Sequence, residues 1–125
     1  MMTNNIVEEK IKEIENEIDK ILQKVEQRIN ELEKVKNKDI KTIKKIDDLK
    51  EQISYLKYVE EMIKMSIEVA QGKEFFIRDI SDTMILVDNI YLKYYEGEEE
   101  GIRVVFSLGG KVIGQTKIKS ISLIY

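Results

Sequence analysis

The sequence predicts an α+β fold in which a long helical region, residues 1–71, precedes a small antiparallel β domain, residues 72–125. Three observations lead to this prediction. Residues 1–71 contain no Gly and no Pro. Their apolar residues recur at alternating spacings of four and three, which is the period of a coiled coil. From residue 74 onward, short β-rich runs alternate with turn residues, as they do in antiparallel sheets.

The helical region carries an apolar ladder that is typical of a coiled coil rather than of an ordinary surface helix. Isoleucine fills both core positions of the heptad, which favours three or more associated helices over a two-stranded coil. The polar positions on the ladder are Arg28, Asp39, Thr42 and Glu60. Its apolar members are Val7, Ile11, Ile14, Ile18, Ile21, Val25, Leu32, Val35, Ile46, Leu49, Ile53, Leu56, Ile63, Ile67 and Ala70.

The middle of the helical region allows two architectures. Asn37-Lys38-Asp39 is able to end one helix, and Asp39 is a good N-cap for the next, which predicts a helical hairpin. The phase of the ladder is retained across Asp39, however, which favours one continuous helix of about 95 Å. Both alternatives are open on the sequence.

Arg28 occupies a core position of the heptad, where a cation is costly unless it is paired. A glutamate of a neighbouring helix, such as Glu26 or Glu31, would make it a polar layer that sets the register. The functional alternative is a ring of Arg28 side chains around a symmetry axis, ready for an anionic ligand.

The β domain begins after Gly72, which stands where glycine commonly ends a helix. Strands are predicted at residues 74–79, 84–88, 90–95, 102–108, 111–118 and 120–124, and Gly109-Gly110 is a strong hairpin signal. Pairing of Leu92 with Val104 buries Ile90, Leu92, Tyr94, Ile102, Val104 and Phe106 on one face. The opposite face then carries Asn89, Tyr91, Lys93, Arg103, Val105 and Ser107. A domain of this size has a thin core that needs the helices, a second copy of the chain or both, and from this we expect an obligate homo-oligomer.

The composition excludes several classes of function. The chain has no Cys and no His, so it lacks thiol nucleophiles, Ser-His pairs and the usual zinc ligands. Its net charge of −3 argues against general DNA binding, and no apolar run approaches the length of a membrane span. The N-terminus has no signal-peptide pattern. We therefore expect an intracellular, non-enzymatic protein without metal, cofactor, DNA or membrane.

The candidate binding residues are arginines, aromatic residues and an amide. Only three of the 21 basic residues are Arg, and Arg grips phosphate with two hydrogen bonds and stacks on flat rings, which Lys does not. The candidates are Asn89, Tyr91, Lys93 and Arg103 on one predicted sheet face, and Phe76 and Arg78 on one face of the first strand. A solvated sheet face with ordinary cross-strand pairs explains the same pattern.

Two charge runs are explained most simply as solvated surface. Lysines dominate residues 34–45, with only Asp39 opposing them, and several copies of this run would bind a polyanion if they converged. Glu96, Glu98, Glu99 and Glu100 form an acidic turn without the ordered ligand pattern of a calcium loop. We therefore expect this turn to be a solvated loop tip.

A family resemblance is carried by residues 80–114, ISDTMILVDNIYLKYYEGEEEGIRVVFSLGGKVIG, together with the charged helical half. In this combination the chain resembles the phage Thoeris anti-defence proteins of the first type. Members of that family bind cyclic ADP-ribose isomers made by bacterial TIR-domain defence enzymes and sequester them without cleavage. Some also hold cyclic trinucleotides at a separate site in a hexamer. The resemblance implies a sponge for such signals that acts in the host-cell cytoplasm and inhibits Thoeris defence.

The resemblance also implies an architecture and a set of site residues. Helices of different subunits interlock, and the C-terminal sheet dimerises and forms the nucleotide pocket. That pocket contains an aromatic side chain for the adenine, an Asn and an Arg, with a further Arg from the helical region. The matching residues in this chain are Phe75 or Phe76, Asn89, Arg103 and Arg28.

Other classes of function are open on the sequence. A structural or adaptor protein, in which the coiled coil sets spacing and the sheet docks on a protein partner, is the main alternative. A prefoldin-type chaperone is less consistent, because prefoldins place their β hairpins between two long helices and here every predicted strand follows the helices. An enzyme is the least consistent class, because no motif singles out a catalytic pair.

Overall fold

The computed structural model describes residues 2–79, 81–97 and 99–123. Over these residues the chain forms two long helices followed by six strands, which confirms the predicted α+β class. The helices are α1 (Met2–Glu33) and α2 (Ile40–Ala70). The strands are β1 (Phe75–Asp79), β2 (Met84–Val87), β3 (Asn89–Tyr95), β4 (Gly101–Leu108), β5 (Lys111–Lys117) and β6 (Ile121–Leu123), and a 3₁₀ turn, Ile118–Ser120, precedes β6.

The two helices form a hairpin, so the continuous-helix alternative is wrong. Asn37, in the connection, has a positive φ of 55°. The Oδ1 of Asp39 accepts a hydrogen bond of 2.8 Å from the backbone N–H of Thr42, which is the predicted N-cap. An ion pair of 3.1 Å between Lys64 Nζ and Glu15 Oε2 joins the helices side by side. The polar ladder positions at residues 39 and 42 therefore mark the start of α2.

The buried seam of the helices follows the predicted ladder only in part. In α1 the buried residue that follows Val25 is Ile29 rather than Arg28. In α2 the buried residue that follows Leu56 is Val59 rather than Glu60. An α-helix has 3.6 residues per turn, so a strict 3.5-residue ladder drifts around a straight helix. The heptad core position predicted for Arg28 is therefore wrong. The buried hydrophobic residues of the hairpin are Ile14, Ile18, Ile21, Val25, Ile29, Leu32, Ile46, Leu49, Leu56, Val59, Ile63 and Ile67.

The strands form two antiparallel three-stranded sheets, ordered β3–β4–β5 and β2–β1–β6. Leu92 pairs with Val104, so the predicted register of β3 and β4 is confirmed. The Gly109-Gly110 turn joins β4 to β5 with positive φ values of 60° and 81°, which glycine adopts without a Cβ clash. A two-residue turn with positive φ at both residues matches the twist of the strands that it connects.

The outer face of β3 and β4 is less solvated than the alternation predicts. Val105 and Ser107 lie on the face opposite Leu92, and both are buried. Ile118, predicted as the end of a strand, lies in the 3₁₀ turn and is also buried. The strand predicted at residues 120–124 is shorter, since β6 comprises Ile121–Leu123, and residue 124 lies outside the described residues.

Both helices contact the backbone of the β3–β4–β5 sheet with polar side chains. The N–H of Leu92, in the edge strand β3, donates to Glu17 Oε1 of α1 at 3.1 Å. The N–H of Ile102 donates to Gln52 Oε1 of α2 at 2.7 Å. Burial raises the pKa of the Glu17 carboxyl, and the hydrogen bond from Leu92 opposes this only in part. An open strand edge invites pairing with other chains, and α1 packs along this one.

The helices and the strands share one hydrophobic core. Val25 and Ile63 of the hairpin belong to the same buried cluster as Ile77 of β1 and Val104 of β4. The change from helix to strand after residue 71 is therefore not a boundary between two cores. None of the helices in the described part of the chain is long and apolar enough to cross a membrane.

Candidate functional site

A cleft of about 450 Å³ lies where the first turns of α2 meet the start of β4 and the 3₁₀ turn. We name it the lysine cleft. Its cationic lining residues are Lys44, Lys45, Arg103, Lys117 and Lys119, and its acidic lining residues are Asp48, Glu99 and Glu100. Cations outnumber carboxylates here, although the whole chain carries a net charge of −3. Such a local excess of positive charge favours a phosphate-bearing ligand.

Most cations of the lysine cleft already hold an acidic partner. Lys119 Nζ lies 2.9 Å from Asp48 Oδ1, and Lys45 Nζ lies 3.0 Å from Glu100 Oε1. Within the described residues, the side chains of Lys44 and Lys117 make no ion pair. These two lysines are therefore available to an anion without the loss of an existing ion pair.

Arg103 lines the lysine cleft from β4 and is held in place by two neighbours, Glu99 and Tyr95. Its Nη2 donates to Glu99 Oε2 at 2.9 Å, and its guanidinium carbon lies 5.2 Å from the centre of the Tyr95 ring, a cation–π distance. The Tyr95 hydroxyl in turn donates to Gln115 Oε1 at 3.0 Å. A guanidinium that is already oriented loses less entropy when it binds a phosphate.

Glu100, at the end of the turn before β4, is the most buried carboxylate of the lysine cleft, with 3% of its side chain exposed. Its Oε2 accepts hydrogen bonds from Arg28 Nε at 2.8 Å and from the Tyr94 hydroxyl. Burial opposes the charge most strongly, but hydrogen bonds from Tyr94, Lys45 and Arg28 together outweigh it and lower the pKa of this carboxyl. The prediction of a solvated loop tip is therefore wrong for Glu100.

A second cleft, of about 400 Å³, is lined by both Arg28 and Glu100. The Arg28 guanidinium also lies 3.5 Å from Glu31, one turn further along α1. The hydrogen bond to Glu100 is the main reason that the pKa of Arg28 is raised. The polar contact expected for Arg28 is thus made with the turn before β4 of the same chain. We name this space the arginine cleft.

The predicted sheet-face candidates do share a surface. Asn89, Tyr91 and Lys93 alternate onto one face of β3, and Arg103 lies directly opposite Lys93 in β4. Lys93 is exposed and Tyr91 is half-buried. The Oδ1 of Asn89 accepts a hydrogen bond of 2.9 Å from the N–H of Ile90. The side-chain NH2 of Asn89 is therefore the group that it can offer to a ligand.

Phe75 and Phe76 have opposite environments. Phase along β1 places Phe75 in the core with 6% of its surface exposed, whereas Phe76 is 47% exposed. Phe76 and Met84 line an apolar pocket of about 250 Å³. Phe76 is therefore the ring that is available for stacking. Arg78 lies on the same face of β1 and forms an ion pair of 3.0 Å with Asp82.

Apart from the shared face of β3 and β4, the predicted site residues do not converge on one site. Arg103 lines the lysine cleft, Phe76 lines the apolar pocket beside β1, and Arg28 lines the arginine cleft. Arg103 is identifiable from the sequence, whereas Lys117 and Lys119 are not, because lysine is the commonest cation of this chain and carries no positional signal. Lys44 and Lys45 are identified only as the end of the basic run.

Neither a metal site in the described part of the chain nor a known relative indicates what these clefts bind. No group of three or more His, Cys, Asp or Glu side chains in the described part of the chain is placed to hold a metal ion. Comparison of the chain with protein-family models, with curated proteins and with solved structures finds no match. The functional assignment therefore depends on the clefts and on the resemblance given above.

Proposed function

We propose that the protein binds a small cyclic nucleotide of the cyclic ADP-ribose class through its phosphates and sequesters it unchanged. The lysine cleft is the observation that supports this proposal, because cationic side chains from α2, β4 and β5 converge there and a pyrophosphate group needs convergent cations. The ligand class, and a role against Thoeris defence in the host-cell cytoplasm, come from the family resemblance. Sequestration needs no general base or nucleophile, so a chain without His and Cys is able to perform it.

The lysine cleft suits such a ligand in size and in charge. Its volume of about 450 Å³ lies in the range of small-molecule sites. Lys44 and Lys117 offer cations that no carboxylate holds within the described residues, and Arg103 offers an oriented guanidinium. Binding would depend on partly exposed charges, so we expect the affinity to fall as the salt concentration rises.

Phe76 is the candidate surface for the base. Stacking of a base on an aromatic side chain stabilises a complex by about 1–3 kcal/mol, and Phe76 is exposed beside an apolar pocket. Phe76 and Arg103 line different clefts of one chain. We therefore propose that a second copy of the chain completes the site, with the amide of Asn89 as a further contact to the ligand.

A homo-oligomer, either a dimer or a hexamer, is thus part of the proposal. Large apolar side chains are exposed along one face of α2 and on the adjoining β1–β2 pair, and contiguous apolar surface of this kind marks an interaction site. These side chains are Tyr55, Tyr58, Met65, Val69, Phe76 and Met84. Val69→Lys should lower the mass measured by light scattering toward that of one chain. Ile40→Lys, at an equally exposed position at the start of α2, is the matched control and should not.

Native mass spectrometry with cyclic ADP-ribose isomers tests ligand binding. We expect a complex whose nucleotide is recovered unchanged after heating. Arg103→Ala and Lys117→Ala should abolish binding while the oligomer persists, whereas Lys111→Ala, at the other end of β5, should bind as the wild type does. A protein that ignores these nucleotides, or that returns a cleaved product, would contradict the proposal.

An adaptor function is the second candidate, and one observation favours it. An apolar groove of about 530 Å³ runs between α1 and α2 and is lined by Leu22 and Ile53 among others. Grooves of this kind accept the apolar face of a partner helix. An adaptor would lose its protein partner on Leu22→Lys and would show no response to cyclic nucleotides, so the two candidates give opposite results in the same pair of assays.

A further inference from the structure

The carboxylate of Glu100 lies between the lysine cleft and the arginine cleft and lines both. Arg28 of α1 donates to its Oε2 at 2.8 Å, and Lys45 of α2 lies 3.0 Å from its Oε1. Tyr94 of β3 donates its hydroxyl to Oε2. Both carboxylate oxygens are therefore occupied by donors from three different elements. The turn before β4 supplies an internal anion to cations that would otherwise face the clefts.

Burial distinguishes Glu100 from the neighbouring carboxylate of Glu99. Glu99 is 72% exposed and pairs with Arg103 at 2.9 Å, so water and salt screen its charge. Glu100 is enclosed, and charges that are removed from solvent are screened much less. Its negative charge therefore acts on any anion that enters the lysine cleft, whereas that of Glu99 is largely damped.

Lys45 is the cation through which this effect reaches the ligand. It lines the lysine cleft, but its Nζ is directed to Glu100 Oε1. An entering phosphate must either share Lys45 with a buried carboxylate or do without it. The same carboxylate also repels the phosphate, and this repulsion increases with the charge of the ligand.

We propose that Glu100 is a built-in competitor that limits the affinity of the lysine cleft for phosphate groups. Phosphate contacts alone then do not fill the cleft, and a ligand is retained only when its rings also contact the protein. Glu100 is in this sense a specificity-determining residue, which favours a nucleotide over simple phosphates. This inference rests on the proposed function and deepens it.

Calorimetric titration of inorganic pyrophosphate and inorganic phosphate into the wild type and Glu100→Gln tests the proposal. At low salt we expect pyrophosphate to bind the variant about ten-fold more tightly, because one buried charge close to the ligand is removed. The gain should be smaller for phosphate, which carries less charge, and smaller for both at high salt. Glu96→Gln is the matched control: it makes the same charge change in the same turn, but Glu96 is exposed and lines the arginine cleft. Its effect should be less than about two-fold.

The gain in pyrophosphate affinity of Glu100→Gln must also arise in the lysine cleft. Adding Lys117→Ala to Glu100→Gln should remove it. A gain that persists would mean that the anion binds at the vacated Arg28 instead, and this would overturn the proposal. Equal binding of pyrophosphate by the wild type and Glu100→Gln would overturn it as well. If neither protein bound pyrophosphate or a cyclic nucleotide, the proposed function itself would fail.

A second variant keeps the test decisive if Glu100→Gln does not fold. Arg28→Gln retains the Glu100 carboxylate but removes one of its two cations. Arg28 is not part of the lysine cleft, yet the less compensated carboxylate should weaken pyrophosphate binding by at least about three-fold. An unchanged affinity would contradict the role assigned to Glu100.

Discussion

Two glutamates, the half-buried Glu17 beside β3 and Glu100 beside β4, whose side chain is buried, differ in whether their surroundings stabilise the negative charge. Glu17 receives one hydrogen bond, from the N–H of Leu92 at 3.1 Å, and burial raises the pKa of its carboxyl. Burial also opposes the charge of Glu100, yet Tyr94 and two cations lower the pKa of that carboxyl. The difference shows that partners, and not burial alone, determine the charge of a carboxylate in this fold.

The contrast also separates a structural region from a candidate binding region. At the α1–β3 contact the carboxylate of Glu17 accepts a hydrogen bond from a backbone N–H of the edge strand, and any other acceptor at this place would do the same. At the lysine cleft the charges themselves matter, because they set the potential that a ligand meets. Substitution of a glutamate by Gln keeps a hydrogen-bond acceptor and removes the charge, whereas substitution by Ala removes both. Comparison of the two substitutions therefore tests this contrast.

The largest effect is expected from Glu100→Ala. This substitution should lower the free energy of unfolding by about 2–3 kcal/mol, since it leaves Arg28 and Lys45 without their carboxylate. Both cations are partly exposed, so water replaces part of the lost interaction. Urea denaturation at one protein concentration measures the change, and Glu96→Ala, an exposed residue of the same turn, should stay within about 0.5 kcal/mol of the wild type. A loss no larger than that of Glu96→Ala would show that the cluster is not stabilising.

At Glu17 the acceptor should matter more than the charge. Glu17→Ala should lower the free energy of unfolding by about 1 kcal/mol, because the N–H of Leu92 loses its partner. Glu17→Gln keeps an acceptor oxygen and removes a poorly solvated charge, so it should match or slightly exceed the stability of the wild type at neutral pH. Urea denaturation of the two variants in parallel checks this, and equal losses would contradict it.

The pH dependence of stability should differ in sign between the two glutamates. The folded-state pKa of Glu100 is lowered from 4.5, so its stabilisation is present above that pH and is lost as the pH falls through the lowered pKa. The folded-state pKa of Glu17 is raised from 4.5, so its charge destabilises the protein at neutral pH, and this penalty is lost as the pH falls from the raised pKa to 4.5.

Urea denaturation of the wild type, Glu100→Gln and Glu17→Gln over the acid range measures both effects. On acidification the stability advantage of the wild type over Glu100→Gln should shrink, and any advantage of Glu17→Gln over the wild type should also shrink. Parallel curves for the three proteins would mean that neither carboxylate has a shifted pKa.

The smallest effect is expected at Glu99, one residue before Glu100. Glu99→Gln removes an exposed ion pair with Arg103 and should change the free energy of unfolding by less than about 0.5 kcal/mol. Thermal denaturation is a sufficient measurement. A loss comparable to that of Glu100→Ala would show that exposure does not distinguish the two carboxylates.

The elements of the fold are predictable because their signals are local. The pairing of Leu92 with Val104 follows from alternation along two strands and from the turn between them. The helical hairpin is supported by Asp39, whose side chain caps a backbone N–H three residues away. The sequence leaves the continuous-helix alternative open because a ladder of 3.5-residue period has the same spacing in one long helix and in two helices that form a hairpin.

The site is less predictable because the sequence does not show which of two or more neighbouring residues is buried and which faces a cleft. Arg28 and Ile29 are adjacent on α1, and the drift of a straight helix relative to a heptad places the second in the core. Phe75 and Phe76 are equally plausible on a short strand until the core selects one face. Glu100 looks like the other glutamates of its turn.

By itself the sequence determined the order of the helices and strands and the register of β3 and β4, since each follows from a local pattern of residues, but it left the helical hairpin and one continuous helix both open. Only the tertiary structure decided which glutamate of the acidic turn is buried and charged. The physical reason is that the energy of a buried charge depends on its partners, and Glu100 meets Arg28 and Lys45 only when two helices and a turn come together.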